Sequence, residues 1–436
     1  MVIVFVFVAL AVLALVAGLH WYVWRRLVRD TTRPRGPGRR AGTALFVAAP
    51  VLMIAALVAE RSGAPFWLQR TLAWPGFLWM ALALYLLLAT VATEPVRVWA
   101  ARRARRATRE AVFAGLDRVP VPPAERSGVA GDAAASPVEP SAGADDSPAS
   151  DGPRATTLAA SALSRRLFVS RVAGGTAAAV ALGVTGYGTY GVLRGPRVKR
   201  VTVPLAKLPR SAHGFRIAVV SDIHLGPVLG RSFAQTVVDT INSTQPDMIA
   251  VVGDLVDGSV KNLGPAAAPL AGLESRLGTY FVTGNHEYFS GAAQWLEEVR
   301  TLGMRPLENA RTELPYFDLA GVNDLQGRGE GHGPDFAKAL GDRDVSRACV
   351  LMAHQPVQIH DAVRHDVDLQ LSGHTHGGQL WPGNLIAKAA NPTVAGLERY
   401  GDTQLYVSRG AGAWGPPTRV AAPSDITVIE LASREA

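Results

Sequence analysis

Five short polar blocks decide the fold of this chain: S-D-I-H at 221–224, G-D-L-V-D at 253–257, G-N-H-E at 284–287, A-H-Q at 353–355 and G-H-T-H at 373–376. Each follows an apolar or β-branched run typical of a buried strand; the runs are Phe215–Val220, Met248–Val252, Thr279–Val282, Cys349–Met352 and Leu369–Leu371. Apolar residues at helical spacing lie between them at Gly230–Ser243 and Gly291–Leu302. This repeating order predicts an α/β sheet whose site lies at the carboxyl ends of the strands.

The blocks contain seven side chains that are suitable metal ligands. They are Asp222, His224, Asp254, Asn285, His354, His374 and His376. All seven offer oxygen or nitrogen, a donor set that suits Mn, Fe or Zn better than a thiolate-bound metal. A single D-x-H string is a weak signal, but five blocks in this order predict the ligand set of a two-metal hydrolase.

The chain from about Arg197 to Leu431 resembles the calcineurin-like metallophosphoesterases. The shared motifs are D-x-H, G-D-x-x-D, G-N-H-E, an isolated histidine and G-H-x-H, each once and in the family's order. The longer strings S-D-I-H-L-G-P, G-N-H-E-Y, L-S-G-H-T-H-G-G-Q and V-S-R-G-A-G-A-W-G-P-P are similar to the membrane-associated branch, which includes the bacterial twin-arginine-exported phosphoesterase. The resemblance implies an α/β fold, a four-layer αββα sandwich of two mixed sheets, over residues 197–432.

The resemblance also assigns roles to individual residues. It implies two divalent or trivalent metal ions (Mn, Fe or Zn), with Asp222, His224 and His376 on one, Asn285, His354 and His374 on the other, and Asp254 between them. A hydroxide activated by both metals would attack the phosphate, while His286 protonates the leaving oxygen or stabilises its charge. Asp257 is expected to orient ligands. Gly253, Gly284 and Gly373 are expected to let their loops approach the metals.

Other polar residues have ordinary interpretations. Solvated surface or packing is expected for His213, His332, His360 and His365, and the single cysteine, Cys349, is expected to be a small buried hydrophobe. Arg409 and Trp414 precede the last strand, and either line the substrate cleft or pack structurally.

The amino-terminal part of the chain is predicted to enter a membrane. Val2–Trp24, Ala41–Ala59 and Leu72–Thr93 are long enough and apolar enough to cross a bilayer, which gives three transmembrane helices within residues 1–96. A fourth candidate, Leu167–Leu193, is diluted by six glycines. It is either a weak span or an export signal.

Arginine placement predicts the orientation of these spans. The loop at 25–40 carries seven arginines and the basic segment 97–118 also carries seven, six of them within 97–109, whereas the loop at 60–71 has only Arg61 and Arg70. By the positive-inside rule the two arginine-rich segments are cytoplasmic. A fourth crossing at 164–193 then delivers the phosphoesterase-like domain to the extracytoplasmic side.

The segment before the fourth span has two features of its own. S-R-R-L-F-V at 164–169 resembles a twin-arginine signal, although it is internal, and a plain positive-inside flank is the alternative reading. Under the first reading, a twin-arginine translocase is a partner during export. Residues 119–163, rich in Pro, Ala, Ser, Gly and Asp, are expected to be a disordered linker.

These features together predict a multi-pass membrane protein with an extracytoplasmic phosphoesterase domain. The net charge of +8 comes from arginines beside the spans, so no nucleic acid partner is expected. The expected substrate is a phosphomonoester or phosphodiester, and lipid-linked or envelope phosphates are favoured because few residues separate Leu193 from the first catalytic strand. The loops at Trp381–Pro382 and Trp414 either rest at the lipid headgroups or pack structurally. The alternatives are a phosphodiesterase or nuclease for soluble substrates, and a non-catalytic membrane sensor or scaffold.

Overall fold

The computed structural model describes residues 2–116 and 153–434. The α-helices are α1 (Val2–Trp24), α2 (Pro37–Arg61), α3 (Phe66–Leu116), α4 (Pro153–Leu193), α5 (Arg231–Ser243), α6 (Val260–Ala267), α7 (Asn285–Ser290), α8 (Ala292–Thr301), α9 (Phe336–Leu340), α10 (Ile359–Arg364) and α11 (Gly383–Ala390). The strands are β1 (Arg197–Leu205), β2 (Phe215–Val220), β3 (Met248–Val252), β4 (Thr279–Val282), β5 (Met304–Pro306), β6 (Ala310–Glu313), β7 (Asp318–Gly321), β8 (Cys349–Met352), β9 (Leu369–Ser372), β10 (Gly396–Tyr400), β11 (Thr403–Val407) and β12 (Asp425–Ser433).

The strands form two mixed sheets of six. The first has the order β1-β12-β2-β3-β4-β5, with β12 antiparallel to β2 and the run from β2 to β5 parallel. The second has the order β10-β11-β9-β8-β7-β6, with the four inner strands parallel and both edge strands antiparallel. All five predicted strands are present. The parallel inner strands bring their carboxyl ends to one edge of each sheet.

Three hydrophobic clusters show how these elements are layered. The middle cluster joins the two sheets through residues such as Ile217, Val252 and Leu371. A second cluster packs the outer face of the first sheet against α5, α6 and α8, and a third packs the second sheet against α9 and α10. Because both faces of each sheet are covered, the inner strands are apolar throughout rather than alternating. The predicted four-layer αββα sandwich is confirmed.

Four helices among the described residues are long and apolar enough to cross a membrane. They are Val6–Arg29, Pro37–Arg61, Phe66–Ala104 and Leu167–Leu193, with mean hydropathy of 2.2, 2.3, 1.9 and 1.6. The last three contain the apolar segments predicted from sequence, and the first overlaps the predicted segment Val2–Trp24 from Val6 onward. The glycine-rich fourth segment is therefore helical throughout.

Residue contacts divide the chain into two compact units. The first contains Met1–Thr43 and Leu87–Ala179, in which Glu94 accepts a hydrogen bond from the Tyr22 hydroxyl (2.9 Å) and pairs with Arg26 (2.8 Å). The second contains Ala44–Leu86 and Val180–Ala436, so it joins parts of three apolar helices to the αββα sandwich.

The predicted linker and the helical region meet at a different place from the one expected. Residues 119–152 of the predicted linker lie outside the described residues, whereas 153–163 are the first turns of α4. The side chains of the arginine pair at 165–166 also lie outside the described residues. The basic segment that follows the third span continues α3 as far as Leu116.

Candidate metal centre

The predicted ligands come together where strands of both sheets end. In the first sheet, Asp222 and His224 follow β2, Asp254 and Asp257 follow β3, and Asn285 and His286 follow β4. In the second sheet, His354 follows β8, and His374 and His376 follow β9. Hydrogen bonds tie the loops to one another; for example, the His374 N–H donates to the Asp222 carboxylate (3.0 Å).

The first group of converging donor atoms belongs to Asp222, His224 and His376, all buried. The Nε2 atoms of the two histidines face each other at 3.0 Å, and His376 Nε2 lies 3.3 Å from Asp222 Oδ1. Two ring nitrogens and a carboxylate oxygen pointing at one place form a typical cation-binding geometry.

The second group contains Asp254, His354 and His374, with Asn285 beside it. His354 Nε2 lies 3.1 Å from Asp254 Oδ2, and His374 Nδ1 lies 3.0 Å from Asn285 Oδ1. The same Asp254 Oδ2 atom is 3.7 Å from His224 Nε2 of the first group. Asp254 therefore lies between the two groups.

The hydrogen bonds of the buried histidines fit metal ligation. His354 Nδ1 bonds the Val252 carbonyl oxygen (2.8 Å), which places the ring proton on Nδ1, and the buried Nε2 has no hydrogen bond. His224 Nδ1 similarly bonds Asp257 Oδ1 (3.0 Å), leaving Nε2 directed at the first group. Metal-binding histidines usually donate their second ring N–H to a carbonyl or a carboxylate in this way. The residues present therefore fit a metal at each group.

Electrostatics divide the four histidines of these groups. Burial opposes a charged imidazolium, but the Asp254 carboxylate outweighs burial and raises the pKa of His354, and the Asp257 carboxylate does the same for His224, so a metal would have to displace a proton from these two rings. His374 and His376 are kept neutral. Burial and the neighbouring His354 charge lower the pKa of His374 to about 4. Burial and the His224 charge lower the pKa of His376 well below its ordinary value. A neutral imidazole has a lone pair available for a metal.

His286 and Asp257 form a close pair at the edge of the first group. His286 Nδ1 lies 2.6 Å from Asp257 Oδ1, so this carboxylate bonds both His286 and the predicted ligand His224. Burial opposes the charged imidazolium, but the Asp257 carboxylate outweighs burial and raises the pKa of His286 to about 9. Burial alone would raise the pKa of Asp257, but the two histidines hold it at about 2. His286 can therefore carry a proton beside the metal ligands at neutral pH.

The backbone at the site is strained in a way that marks function. Five predicted ligands adopt left-handed φ angles: Asp222 (51°), His224 (49°), Asp254 (53°), His374 (70°) and His376 (52°). Such conformations cost about 1–3 kcal/mol for a non-glycine residue and persist where surrounding structure imposes them. Glycine is required beside them: a Cβ on Gly284 would collide with the Asp254 carboxylate, and one on Gly373 with the Asp222 carboxylate. The loops thus pack directly on the ligand side chains.

Residues 215–378 match the calcineurin-like phosphoesterase family profile. An uncharacterized metallophosphoesterase from Aquifex aeolicus is 35% identical over 54% of this chain and 91% of its own length. The chain belongs to the calcineurin-like metallophosphoesterases. The family uses divalent metals, which agrees with the two candidate ligand groups.

Other metallophosphoesterase relatives match a shorter part of their own length. "Transmembrane protein with metallophosphoesterase domain" from Danio rerio is 42% identical over 56% of this chain and 59% of that protein. An uncharacterized metallophosphoesterase from Helicobacter pylori is 40% identical over 57% of this chain and 68% of its own. The chain therefore spans little more than half the length of the first of these relatives. Its apolar helices agree with the transmembrane name of that relative.

Glu287 is a buried residue of the candidate site to which the sequence reasoning gave no role. It is fully buried, and its carboxylate accepts hydrogen bonds from the backbone N–H groups of Gly284 (2.6 Å), Leu255 (2.7 Å) and Asp254 (2.9 Å). Burial, followed by the Asp254 charge, raises its pKa to about 7. Glu287 therefore holds the Asp254 loop against the Asn285 loop. The signal in the sequence was the acidic residue that ends G-N-H-E.

The mouth of the metallophosphoesterase site is aromatic. The rings of Phe289 and Trp414 lie 5.4 Å and 5.7 Å from the His286 ring and are 62% and 46% exposed. Trp414, whose role was left open, therefore lies at the site, whereas Arg409 pairs with Asp425 (3.4 Å). Cys349 is buried, as expected.

Proposed function

We propose that this chain is a membrane-anchored phosphoesterase that hydrolyses phosphomonoesters or phosphodiesters at a two-metal site. The observation that carries the proposal is a pair of buried ligand groups separated by one carboxylate, Asp254, with the hydrogen-bonded pair of His286 and Asp257 beside them. Asp222, His224 and His376 would hold one cation, and Asn285, His354 and His374 the other.

The metals and the side chains have separate tasks in this proposal. Two bound cations supply Lewis acidity toward the phosphate oxygens and lower the pKa of water. His286 donates its proton to the leaving oxygen, a task that suits an imidazolium within hydrogen-bonding reach of the ester. Asp257 stabilises that imidazolium and fixes the ring of His224. Phe289 and Trp414 shield the proton donor from bulk water.

The membrane placement is also part of the proposal. The arginine-rich segments at 25–40 and 97–118 would face the cytoplasm, and α4 would deliver the catalytic domain to the outer side, with the twin-arginine translocase assisting export. α4 ends at Leu193 and β1 begins at Arg197, so the domain starts directly at the end of an apolar helix. This proximity favours lipid-linked or envelope phosphates as substrates. Mn, Fe and Zn all suit the ligand set.

Metal loading and turnover of the full-length chain test the catalytic part. The protein in lipid nanodiscs is stripped with chelator and reloaded with Mn; bound metal and hydrolysis of p-nitrophenyl phosphate and bis-p-nitrophenyl phosphate are then measured. The His286→Ala variant should keep its metal and lose roughly 10²–10⁴-fold in turnover, because only proton donation is removed. The Asp254→Asn variant should lose both metal and turnover. If the wild-type protein is fully loaded with metal and hydrolyses neither ester, the proposal of an enzyme is refuted and a non-catalytic scaffold is favoured.

Substrate class and topology need separate measurements. Reporters fused after Leu116 and after Ala436 should report opposite sides of the membrane, and the same side for both would refute the fourth crossing. Hydrolysis of a phospholipid in the nanodisc should exceed that of its soluble headgroup ester. Equal rates on both would favour the phosphodiesterase for soluble substrates.

A further inference from the structure

The short helix α11 leaves its apolar side chains in the open. None of its residues is buried, and Leu385 and Ile386 are 62% and 76% exposed. With Ala389 and Ala390 they form one face, since residues three and four apart lie together on a helix. Asn384 projects from the opposite side, and its backbone lies against Gly378. An apolar helix face that no other residue covers indicates contact with lipid or another apolar surface rather than with water.

The loop before α11 is hydrogen-bonded to α3 and is connected to α4 through a neighbouring loop. The Tyr85 hydroxyl of α3 donates to the carbonyl oxygen of Trp381 (3.1 Å), two residues before α11 begins. The Trp381 N–H donates to the carbonyl of Val420 (3.1 Å). The residue before it, Arg419, donates its backbone N–H to Gly188 of α4 (3.2 Å). The exposed face of α11 is thus continuous with the surfaces of α3 and α4.

Tyr85 belongs to the apolar stretch of α3, Leu72–Thr93, and not to its flanks. The helix that contains this stretch is long and apolar enough to cross a hydrocarbon layer. The loop before α11 is therefore bonded to a helix that lies in lipid in the proposed function.

We propose that α11 is inserted in the lipid leaflet and that Leu385 and Ile386 bind acyl chains. This inference rests on the membrane placement in the proposed function. Short amphipathic helices insert in this way, with the apolar face at the boundary of headgroups and acyl chains and the polar residues toward water or protein. Lys388, exposed on the same helix, lies where it can meet anionic headgroups.

The lipid contact reaches the mouth of the site through one short chain of bonds. The Gln379 side chain donates to the Trp414 carbonyl (2.9 Å) and accepts from the Trp414 N–H (3.1 Å), and Trp414 lies beside His286. Gln379 precedes Trp381 by two residues. The inserted surface is therefore linked to the proton donor through Gln379 and Trp414, so a phosphate at the headgroup level is the substrate this surface would present.

Site-directed spin labelling of the full-length chain tests the insertion. Single cysteines replace Leu385 or Ile386, and the native Cys349 is buried and gives no background label. The control is Val345→Cys, since Val345 is also apolar and 58% exposed but leads into the amino end of β8, opposite the site. The labels are examined in phosphatidylcholine/phosphatidylglycerol nanodiscs for collision with oxygen, which partitions into lipid, and with a water-soluble nickel chelate.

The expected result is high oxygen and low nickel accessibility at Leu385→Cys and Ile386→Cys, with the reverse at Val345→Cys. Nickel accessibility at α11 equal to that of the control overturns the insertion. The readout needs no turnover. An inactive protein with lipid-exposed labels refutes the catalytic proposal and leaves this inference supported, whereas an active protein with water-exposed labels does the opposite.

Discussion

Removing the Glu287 carboxylate should destabilise the domain far more than removing an exposed glutamate. The Glu287→Ala substitution leaves three buried N–H groups, of Gly284, Leu255 and Asp254, without an acceptor. Each unpaired buried donor costs about 1–3 kcal/mol, so the loss from three donors should be about 3–9 kcal/mol. That is a large part of the roughly 5–15 kcal/mol that stabilises a typical domain.

The assay is thermal unfolding of the metal-free, full-length chain in detergent, followed by tryptophan fluorescence. Metal is omitted because a bound ligand adds its own stabilisation. The midpoint should fall by roughly 6 °C or more in Glu287→Ala, since 1 kcal/mol shifts the midpoint of a domain of this size by about 2–4 °C. The unfolding midpoint of Glu287→Gln should fall by less. Its amide oxygen still accepts hydrogen bonds, although its NH₂ group cannot accept from the remaining backbone N–H groups. Metal affinity should drop roughly 10–100-fold, because the loops that hold Asp254 and Asn285 are no longer aligned.

Glu297 provides the matched control. Its side chain is 76% exposed and, among the described residues, forms an ion pair only with Arg300 on the surface of α8 (2.6 Å), an interaction worth about 0.2–1 kcal/mol. Glu297→Ala should therefore unfold within about 4 °C of the wild type. Equal midpoints and equal metal affinities for Glu287→Ala and Glu297→Ala would refute the role of Glu287 in holding the two loops together.

Three further predictions follow from single contacts. Gly188→Ala should destabilise the protein by about 1–3 kcal/mol, because the added Cβ would lie 2.6 Å from a backbone oxygen. Gly183→Ala should leave the stability unchanged, because no atom lies within 4 Å of its added Cβ. Thermal unfolding compares the two variants, and equal midpoints would contradict the packing of α4 against the loop at Arg419. Cys349 should resist thiol reagents in the native state, since burial raises its pKa to about 12 and suppresses the thiolate at pH 8, and stoichiometric native labelling would contradict its burial. Asp257→Asn should weaken metal binding roughly 10–100-fold and reduce turnover, both measured on nanodiscs, and unchanged affinity would remove its role in orienting His224.

The parts of the fold that sequence predicted well are those with a local apolar signal. β2, β3, β4 and β8 have the predicted bounds because strands covered on both faces are continuous apolar runs with polar loops behind them. The edge strand β1 was not predicted, since R-V-K-R-V-T-V-P-L alternates with charge and its first residues are exposed. Edge pairing is a tertiary event that the local pattern does not specify.

The candidate site likewise contains residues that the sequence predicted and residues that it did not. Every residue assigned by motif lies in the site, because motif order and strand topology together bring the loops to one edge. No role was predicted for Glu287 because its hydrogen-bond partners are backbone N–H groups, which the sequence does not reveal. Trp414 stayed undecided because its contact with His286 joins two loops that are distant in sequence.

The apolar helices also support the loops that carry the predicted metal ligands. Val228, in the loop that follows His224, packs on Phe77 of α3 and its neighbours. Arg419 bonds Gly188 of α4 through its backbone, and its buried guanidinium donates to the carbonyl oxygen of the predicted ligand His376 (3.0 Å). The strings L-G-P and W-G-P-P contain no predicted metal ligand, and they lie in the loops that contact these helices.

A fragment that begins after α4 would lose these contacts. It would also lose Val192, which is fully buried in the cluster that contains Leu225 and Ala411, next to the loops that carry ligands. Such a fragment should fold less stably and bind metal more weakly than the full chain, even though every ligand is present. The ligand set accounts for which metals this protein can bind, whereas the helices before it account for how firmly the ligand loops are held.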